Sequence, residues 1–451
     1  MAMNDHLTVI SPFRFSHFNP DIDSIFRICE PIIQSSPLTV FPGLCDVHVH
    51  FREPGFSYKE TIASGSRAAA HGGFTDVCAM PNLNPVPDSC EHLAEEEALI
   101  ARDAVIRVYP YASITCDEAG KQLADIEALG ERVIGFSDDG KGVQGDELMY
   151  EAMRRIAAAK KPIATHCEIE ELKADGYINS GSYASAHGHR GIPKEAEWKQ
   201  IERDVELARL TGVTYHICHV SCAESVALVR AAKASGINVT CETAPHYLLV
   251  DDSMLQEDGR FKMNPPLRSP QDREALIEAL VDGTIDIIAT DHAPHSAEEK
   301  SLGLADSAFG IVGIETSFQL MYTEFVCTGI ISFERLLDLM AFNPRERFAI
   351  ALGGKSADGR EDFTVWDLNW HGKIDPEDFI SMGSAQPFTG RSVYGRCVLT
   401  VCDGRVAYAA PELQIPGGTL LSDGRLLGAE QSYTQQSHSV QPYAVQLGES
   451  Q

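Results

Sequence analysis

Two histidines one residue apart, His48 and His50 in the stretch DVHVHFREPG (Asp46 to Gly55), are the residues of this chain best spaced to hold a metal ion. On a β-strand, residues i and i+2 point to one face, so both imidazoles can reach a common point. Imidazole is the commonest metal ligand, and a strand fixes two of them better than a loop would. An isolated His-x-His is a weak signal. Four later apolar runs strengthen it, because each ends in similar groups: Ser137-Asp138-Asp139, Thr165-His166-Cys167, His216-Ile217-Cys218-His219, and Thr290-Asp291-His292 with His295 beyond. A lone strand-end histidine is more often a hydrogen-bonded packing residue. Five strand ends offering His or Asp toward one mouth make a metal site the stronger reading.

The donor count exceeds what one tetrahedral ion needs. Four histidines and two aspartates suit two ions about 3.5–4 Å apart, bridged by a carboxylate and a hydroxide. Nitrogen and oxygen donors without thiolate favour zinc, with cobalt or manganese as substitutes. A water shared by two cations ionises near neutral pH and is a nucleophile for a carbonyl.

These residues need strands to carry them. Short β-rich apolar runs are centred near Val47, Val77, Arg107, Gly135, Ala164, Ile217, Val239 and Ile288. Most lie about 25–30 residues apart, the length of a strand plus a crossover helix. The fifth interval is longer and holds a polar, Gly-rich insertion around Gly176 to Pro193. Segments such as Lys59–His71 and Asp204–Thr211 carry helical periodicity. The pattern predicts an α/β fold, a (β/α)8 barrel over residues 45–354. An open doubly wound sheet would leave the polar strand ends without a reason. Residues 1–44 and 355–410 contain further β-like runs (Phe363–Leu368, Arg396–Val401, Arg405–Ala409), expected to pair as a small flanking β-domain. From about Pro411 to 451 the chain turns to Gly, Ser and Gln, and a mobile tail is expected there.

Bulk composition narrows the partners. Of 451 residues 44% are apolar and 23% charged, ordinary for a globular protein, and the net charge of −28 argues against nucleic acid or an anionic membrane surface. A small anionic substrate remains compatible, since local cations can dominate a pocket. The twelve cysteines form no Cys-x-x-Cys pair, so reduced and mostly buried thiols are expected. There is no run of about 18 apolar residues to span a membrane, and no basic-then-apolar leader. A cytoplasmic location is expected.

The motifs DVHVHFREPG, GGFTDVCAMPNLNPVPD, FSDDGKGVQ, ATHCE, HICHVS, KMNPPLR and IATDHAPH together resemble those of the amidohydrolase superfamily, and within it the class I dihydroorotases. The resemblance covers roughly residues 40 to 410, in order. It implies a (β/α)8 barrel and the reversible, zinc-dependent cyclisation of N-carbamoyl-L-aspartate to dihydroorotate in pyrimidine biosynthesis, with two zinc ions per chain. By motif, His48, His50 and Asp291 would hold the more buried ion and His166 and His219 the other, with Asp139 bridging. Asp291 would be the general acid/base, moving the proton between water and substrate. Many cyclic amidases bridge their metals with a carbamylated lysine. Here Ser137-Asp138-Asp139 stands in that place, with Asp138 the alternative bridge and Lys141 read as a solvated loop residue.

For substrate, the resemblance implies that His50, Arg52, Asn82, Asn264, His295, Phe309 and Gly310 make contacts. Arg52 would bind an α-carboxylate through its planar fork, and Phe309-Gly310 would meet the pyrimidine ring through backbone. His216 and His292 are read as packing residues, and His187 and His189 as exposed. Allantoinases and hydantoinases, which normally use the bridging lysine, are the rival enzymes. A catalytically inactive partner of aspartate transcarbamoylase is the alternative outside enzymes, although such proteins tend to lose ligands and all six are kept here. A homodimer and association with a transcarbamoylase complete the partner expectations. The segment SPFRFSHFNPDIDSIFRICEP lacks the Gly-punctuated strands with which the family usually opens.

Overall fold

The computed structural model describes residues 6–10, 22–352, 362–415, 420–422 and 425–427. Strands Leu44–Val49, Phe74–Ala79 and Arg107–Pro110 pair in that order, all parallel. Strands Pro162–Thr165, Thr214–Ile217, Val239–Thr243 and Ile287–Ile288 form a second parallel run. Phe136 bridges Ala112 on one side and Ile163 on the other, joining the runs, and Val49 bridges His292 to close the ring. The result is the (β/α)8 barrel that the repeat spacing predicts. Its fourth strand, expected near Gly135, shrinks to the bridges at Phe136. Just beyond, Asp138 accepts the backbone N–H groups of Ile114 (2.7 Å) and Thr115 (3.0 Å), so side chain replaces ladder there.

Helices return the chain between the parallel strands, as such crossovers require. Thr61 and Ser64 form a capping box that starts helix Ile62–His71, and Ser269 and Asp272 form another, with Pro270 as first residue, for helix Pro270–Asp282. Gly212 ends helix Glu195–Thr211 in a left-handed conformation (φ 69°). Inside the ring a compact cluster links Cys45, Val47, Cys78, Tyr111, Ala164, Cys218 and Ile287, from strands on all sides. Inward-facing side chains of this kind fill the interior of a small barrel. No helix among the described residues is long and apolar enough to cross a membrane.

A second sheet lies beside the barrel. Leu7–Val9 pairs parallel to Leu38–Phe41, which pairs antiparallel to Phe363–Lys373, followed by Ser392–Cys402 and Arg405–Ala409. Two helices, Ile22–Ile28 and Glu30–Ile33, lie between the first two strands in sequence. Phe41, Phe318 and Trp366 stack across the junction between sheet and barrel, with ring centroids 5.4 Å (Phe41–Phe318) and 4.3 Å (Phe318–Trp366) apart. Within the stretch expected as a tail beyond Pro411, two short strands are described. Leu420–Ser422 and Arg425–Leu427 pair with each other, and Leu420 with Arg405. The sequence LLSDGRLL carries an Asp-Gly hairpin signal that the polar composition of this region obscured. The rest of the expected tail lies outside the described residues.

The floor of the barrel is tied by charge. Asp76 is fully buried and accepts Arg107 Nε at 2.7 Å, while Arg345, itself buried, pairs with the same carboxylate and donates to Thr75 Oγ1 at 3.0 Å. Burial pushes the Asp76 carboxyl up, but Arg345 and then Arg107 outweigh it and hold the pKa at about 2. A folded pKa below the unfolded value means that this stabilisation is complete above about pH 4 and is lost as pH falls toward 2. Asp76→Asn strands the Arg345 guanidinium and is expected to lower unfolding free energy by roughly 3–5 kcal/mol. Denaturant melts at neutral pH and near pH 3 check this: the gap between variant and wild type should narrow in acid, and a constant gap would show that the ion pair is not its source.

Candidate metal centre

Every donor predicted from the sequence arrives at the carboxyl end of the barrel strands. The first strand delivers His48 and His50, even though its pairing is irregular between Asp46 and Val49. Their Nε2 atoms lie 3.5 and 3.1 Å from Asp291 Oδ1. Asp139 sits between the two histidine pairs. Its Oδ1 is 3.4 Å from His48 Nε2, 3.8 Å from His219 Nε2 and 4.0 Å from His166 Nδ1, and its Oδ2 is 3.5 Å from His50 Nε2. His166 Nδ1 and His219 Nε2 are 3.0 Å apart. All six residues are buried.

Carboxylates and imidazoles this close, shielded from water, shape one another's protonation. Burial alone would raise the carboxyls of Asp139 and Asp291, yet His48 and its neighbours hold both well below the usual range. Burial disfavours an imidazolium at His48, but Glu242 and Asp139 raise its pKa well above the ordinary value. A field that favours a proton at that spot also favours a metal cation. The open atoms agree: His48 Nε2 and Asp139 Oδ1 are buried with no hydrogen-bond partner among the described residues. Two sets, His48–His50–Asp291 and His48–Asp139–His219, each have their donor atoms within 4.8 Å of one another. The residues present therefore fit a metal cluster with nitrogen and oxygen donors.

The far sides of the rings are held by groups only partly foreseen. Glu242 Oε1 meets His48 Nδ1 at 2.6 Å and Oε2 meets His216 Nε2 at 3.0 Å. Burial raises the Glu242 carboxyl, and His48 and His216 bring it down to about 2. Glu242 shows in the sequence only as a charged residue in the apolar run INVTCET. Asn82, expected at the substrate, also has Oδ1 2.9 Å from His50 Nδ1. Such partners orient an imidazole and set its tautomer. Cys218 stands beside Glu242 and His48, but burial keeps its thiol protonated, and His48 Nδ1 is already taken.

Other expectations separate cleanly. Asp138 is occupied by the Ile114 and Thr115 amides and by the Thr115 hydroxyl, so it faces away from the cluster. Lys141 is more than half exposed, 3.9 Å from Glu118. His216 bonds Glu242 and Thr240, and His292 lies against Glu60 and Gly313, as packing residues would. His187 is exposed, whereas His189 is half-buried and held by Tyr177 and Glu257.

A cavity of about 160 Å³ opens over the cluster, and its walls include His50, Arg52, Asn82, Asn264, His295, Phe309 and Gly310. Those are the residues expected to contact substrate. Lys173, not foreseen, joins them and pairs with Glu168 at 2.6 Å. Arg52 is buried and donates to Pro294 O at 3.3 Å, and no carboxylate pairs with it among the described residues. His295 Nε2 bonds Phe309 O at 2.7 Å while Lys59 meets Nδ1 at 3.2 Å, which fits a neutral ring protonated at Nε2. Burial, then Arg52, Lys59 and Lys300, press its pKa down to about 3. Arg52, His219 and Asp291 all have left-handed backbone (φ 60°, 32° and 48°), so strain gathers at this mouth.

A parallel barrel with carboxylates and imidazoles clustered at its strand ends defines the class: an amidohydrolase of the (β/α)8 kind. Residues 38–225 match the family model described as dihydro-orotase-like. The dihydroorotase of Anoxybacillus flavithermus is 50% identical over 82% of this chain and 87% of its own length, and that of Enterococcus faecalis 49% identical over 84% and 90%. The chain belongs to the dihydroorotase family. Among solved structures, an L-hydantoinase from Arthrobacter aurescens superposes with a TM-score of 0.73 at 26% identity, covering 86% of this chain and 87% of that one.

Removing the group behind a ligand tests the cluster without touching a donor. Glu242→Gln is expected to weaken metal binding by about 10–100-fold, read by competition with a chelator. Equal affinity in variant and wild type would reduce Glu242 to a packing residue.

Proposed function

We propose that the chain is a dihydroorotase that interconverts N-carbamoyl-L-aspartate and dihydroorotate, using two zinc ions held by His48, His50, Asp139, His166, His219 and Asp291. The observation that carries the reading is Arg52, a buried guanidinium without a carboxylate partner among the described residues, facing the same cavity as Asp291. A cation left unpaired beside a hydrolytic cluster calls for an anionic substrate. A hydantoin or allantoin ring brings no carboxylate to meet it. The 50% identity to dihydroorotases over most of the chain supports the same choice.

Bound zinc would polarise the scissile carbonyl and make water a better nucleophile near neutral pH. In the hydrolytic direction Asp291 accepts the proton of the attacking water and passes it to the ring nitrogen as the amide bond breaks. In cyclisation the carbamoyl nitrogen gives its proton to Asp291, which returns it to the departing water. Arg52 and Asn82 hold the α-carboxylate, Asn264 and His295 make further substrate contacts, and Phe309 and Gly310 present backbone to the ring. Asp139 keeps both ligand sets in register. The same reading has the barrel spanning 45–354 with 1–44 and 355–410 as its flanking domain, and the enzyme acting in the cytoplasm as a homodimer.

A panel of dihydroorotate, carbamoyl aspartate, allantoin and a hydantoin, run on protein of measured metal content, tests the substrate. Turnover of the first two with up to two zinc per chain is expected, and turnover of a hydantoin alone would overturn the reading. Co-elution with a transcarbamoylase without bound metal or turnover would instead favour the scaffold role. Arg52→Met is expected to raise KM by about 10–100-fold, matching the roughly 1.5–3 kcal/mol of a charged hydrogen bond, with zinc content unchanged. Zinc loss with KM intact would remove Arg52 from the substrate.

A further inference from the structure

Lys300 is a buried lysine with no ion pair among the described residues, outside the metal cluster and outside the mechanism above. Its ammonium donates to three backbone carbonyls: Gly310 O at 2.7 Å, Ala308 O at 2.8 Å and Lys262 O at 3.1 Å. An ammonium has three N–H donors, so this set uses all of them. The three carbonyls belong to two separate segments of the cavity wall. Lys262 precedes Asn264 by two residues, and Ala308 and Gly310 flank Phe309. Further backbone bonds close the knot, from Gly310 N to Lys262 O at 3.1 Å and from Ala308 N to Glu299 O at 3.1 Å.

We propose that Lys300 is a positioning residue that ties the Phe309–Gly310 loop to the Asn264 segment and so holds the substrate-binding wall of the cavity in place. With Ala308 O and Gly310 O on Lys300 and Phe309 O on His295, each carbonyl of the three-residue loop is engaged. The Phe309 N–H is left without a partner among the described residues and is free to meet a ligand. Gly310 sets how closely the wall packs: its φ is 125°, and a Cβ there would come within 2.8 Å of Ala293. A loop this tightly fitted needs its backbone fixed from outside the cavity, and Lys300 reaches it from the helix Ala297–Lys300. Because Lys300 touches neither the metal donors nor Arg52, its loss should be felt in binding of the ring and not in the bond-making step.

This inference rests on the substrate reading for its kinetic part only. Lys300→Met keeps the stem and removes the donors. In the zinc-loaded variant, KM for dihydroorotate is expected to rise about tenfold or more while kcat changes less than threefold, the pattern of binding lost equally from ground and transition states. Amide hydrogen exchange without substrate is expected to quicken in peptides spanning residues 303–312 and to stay as in wild type across the barrel strands. Lys300→Arg, which keeps the charge and the donors, should recover part of both effects. Unchanged exchange in 303–312, or exchange rising everywhere together with zinc loss, would overturn the anchor. If wild type fails to turn over dihydroorotate, the substrate reading falls while the exchange result still decides the anchor.

Discussion

A group of carboxylates and imidazoles shut away from water at one end of a barrel is the constraint on which the rest of this structure turns. Asp139, Asp291 and Glu242 are buried within a few ångströms of four histidines, and a charge without compensation there costs several kcal/mol. The cost is offset by mutual attraction and by fixing three of the rings from behind: Glu242 on His48, Asn82 on His50, Glu168 beside His166. What stays unmatched, His48 Nε2 and Asp139 Oδ1, faces inward to a shared point. The arrangement is that of a cation site, and the barrel exists to keep its donors from relaxing into simpler pairs.

The two ends of the barrel divide the labour. At the floor, Arg345 and Arg107 neutralise Asp76 with every charge matched, and the sheet on the flank is tied in through Asp362 and Asp403 on the same arginine, Arg107. At the mouth, Arg52, His219 and Asp291 carry left-handed backbone, and Arg52 lacks a counter-charge among the described residues. Strain of about 1–3 kcal/mol per residue persists only where surrounding structure holds it.

The mouth is also locally cationic on a strongly acidic chain. Arg52, Lys59 and Lys300 surround His295 closely enough to keep it neutral, although the chain as a whole carries −28. Net charge therefore says what the outer surface repels, while the pocket is governed by the few cations that the fold brings together. That resolves how an acidic protein can be built to hold an acidic small molecule.

The sequence by itself determined the barrel and the donors, because strand periodicity and the distance between runs are local properties that repeat eight times. His48, His50, His166, His219 and Asp291 each end an apolar run, where a parallel strand must present it at one mouth, and the family resemblance then separates them from His216 and His292. Choosing Asp139 over Asp138 from the chemistry of two adjacent aspartates was not possible. Only the tertiary structure shows Asp138 taken by amides from the preceding strand's loop. Glu242 and Lys300 were invisible for the same reason: what each touches lies tens to hundreds of residues away, from Glu242 to His48 and from Lys300 to Lys262. The kind of donor is written in the chain, but which atoms remain free is decided by long-range packing, which pairs off every polar group it can and leaves the site as the remainder.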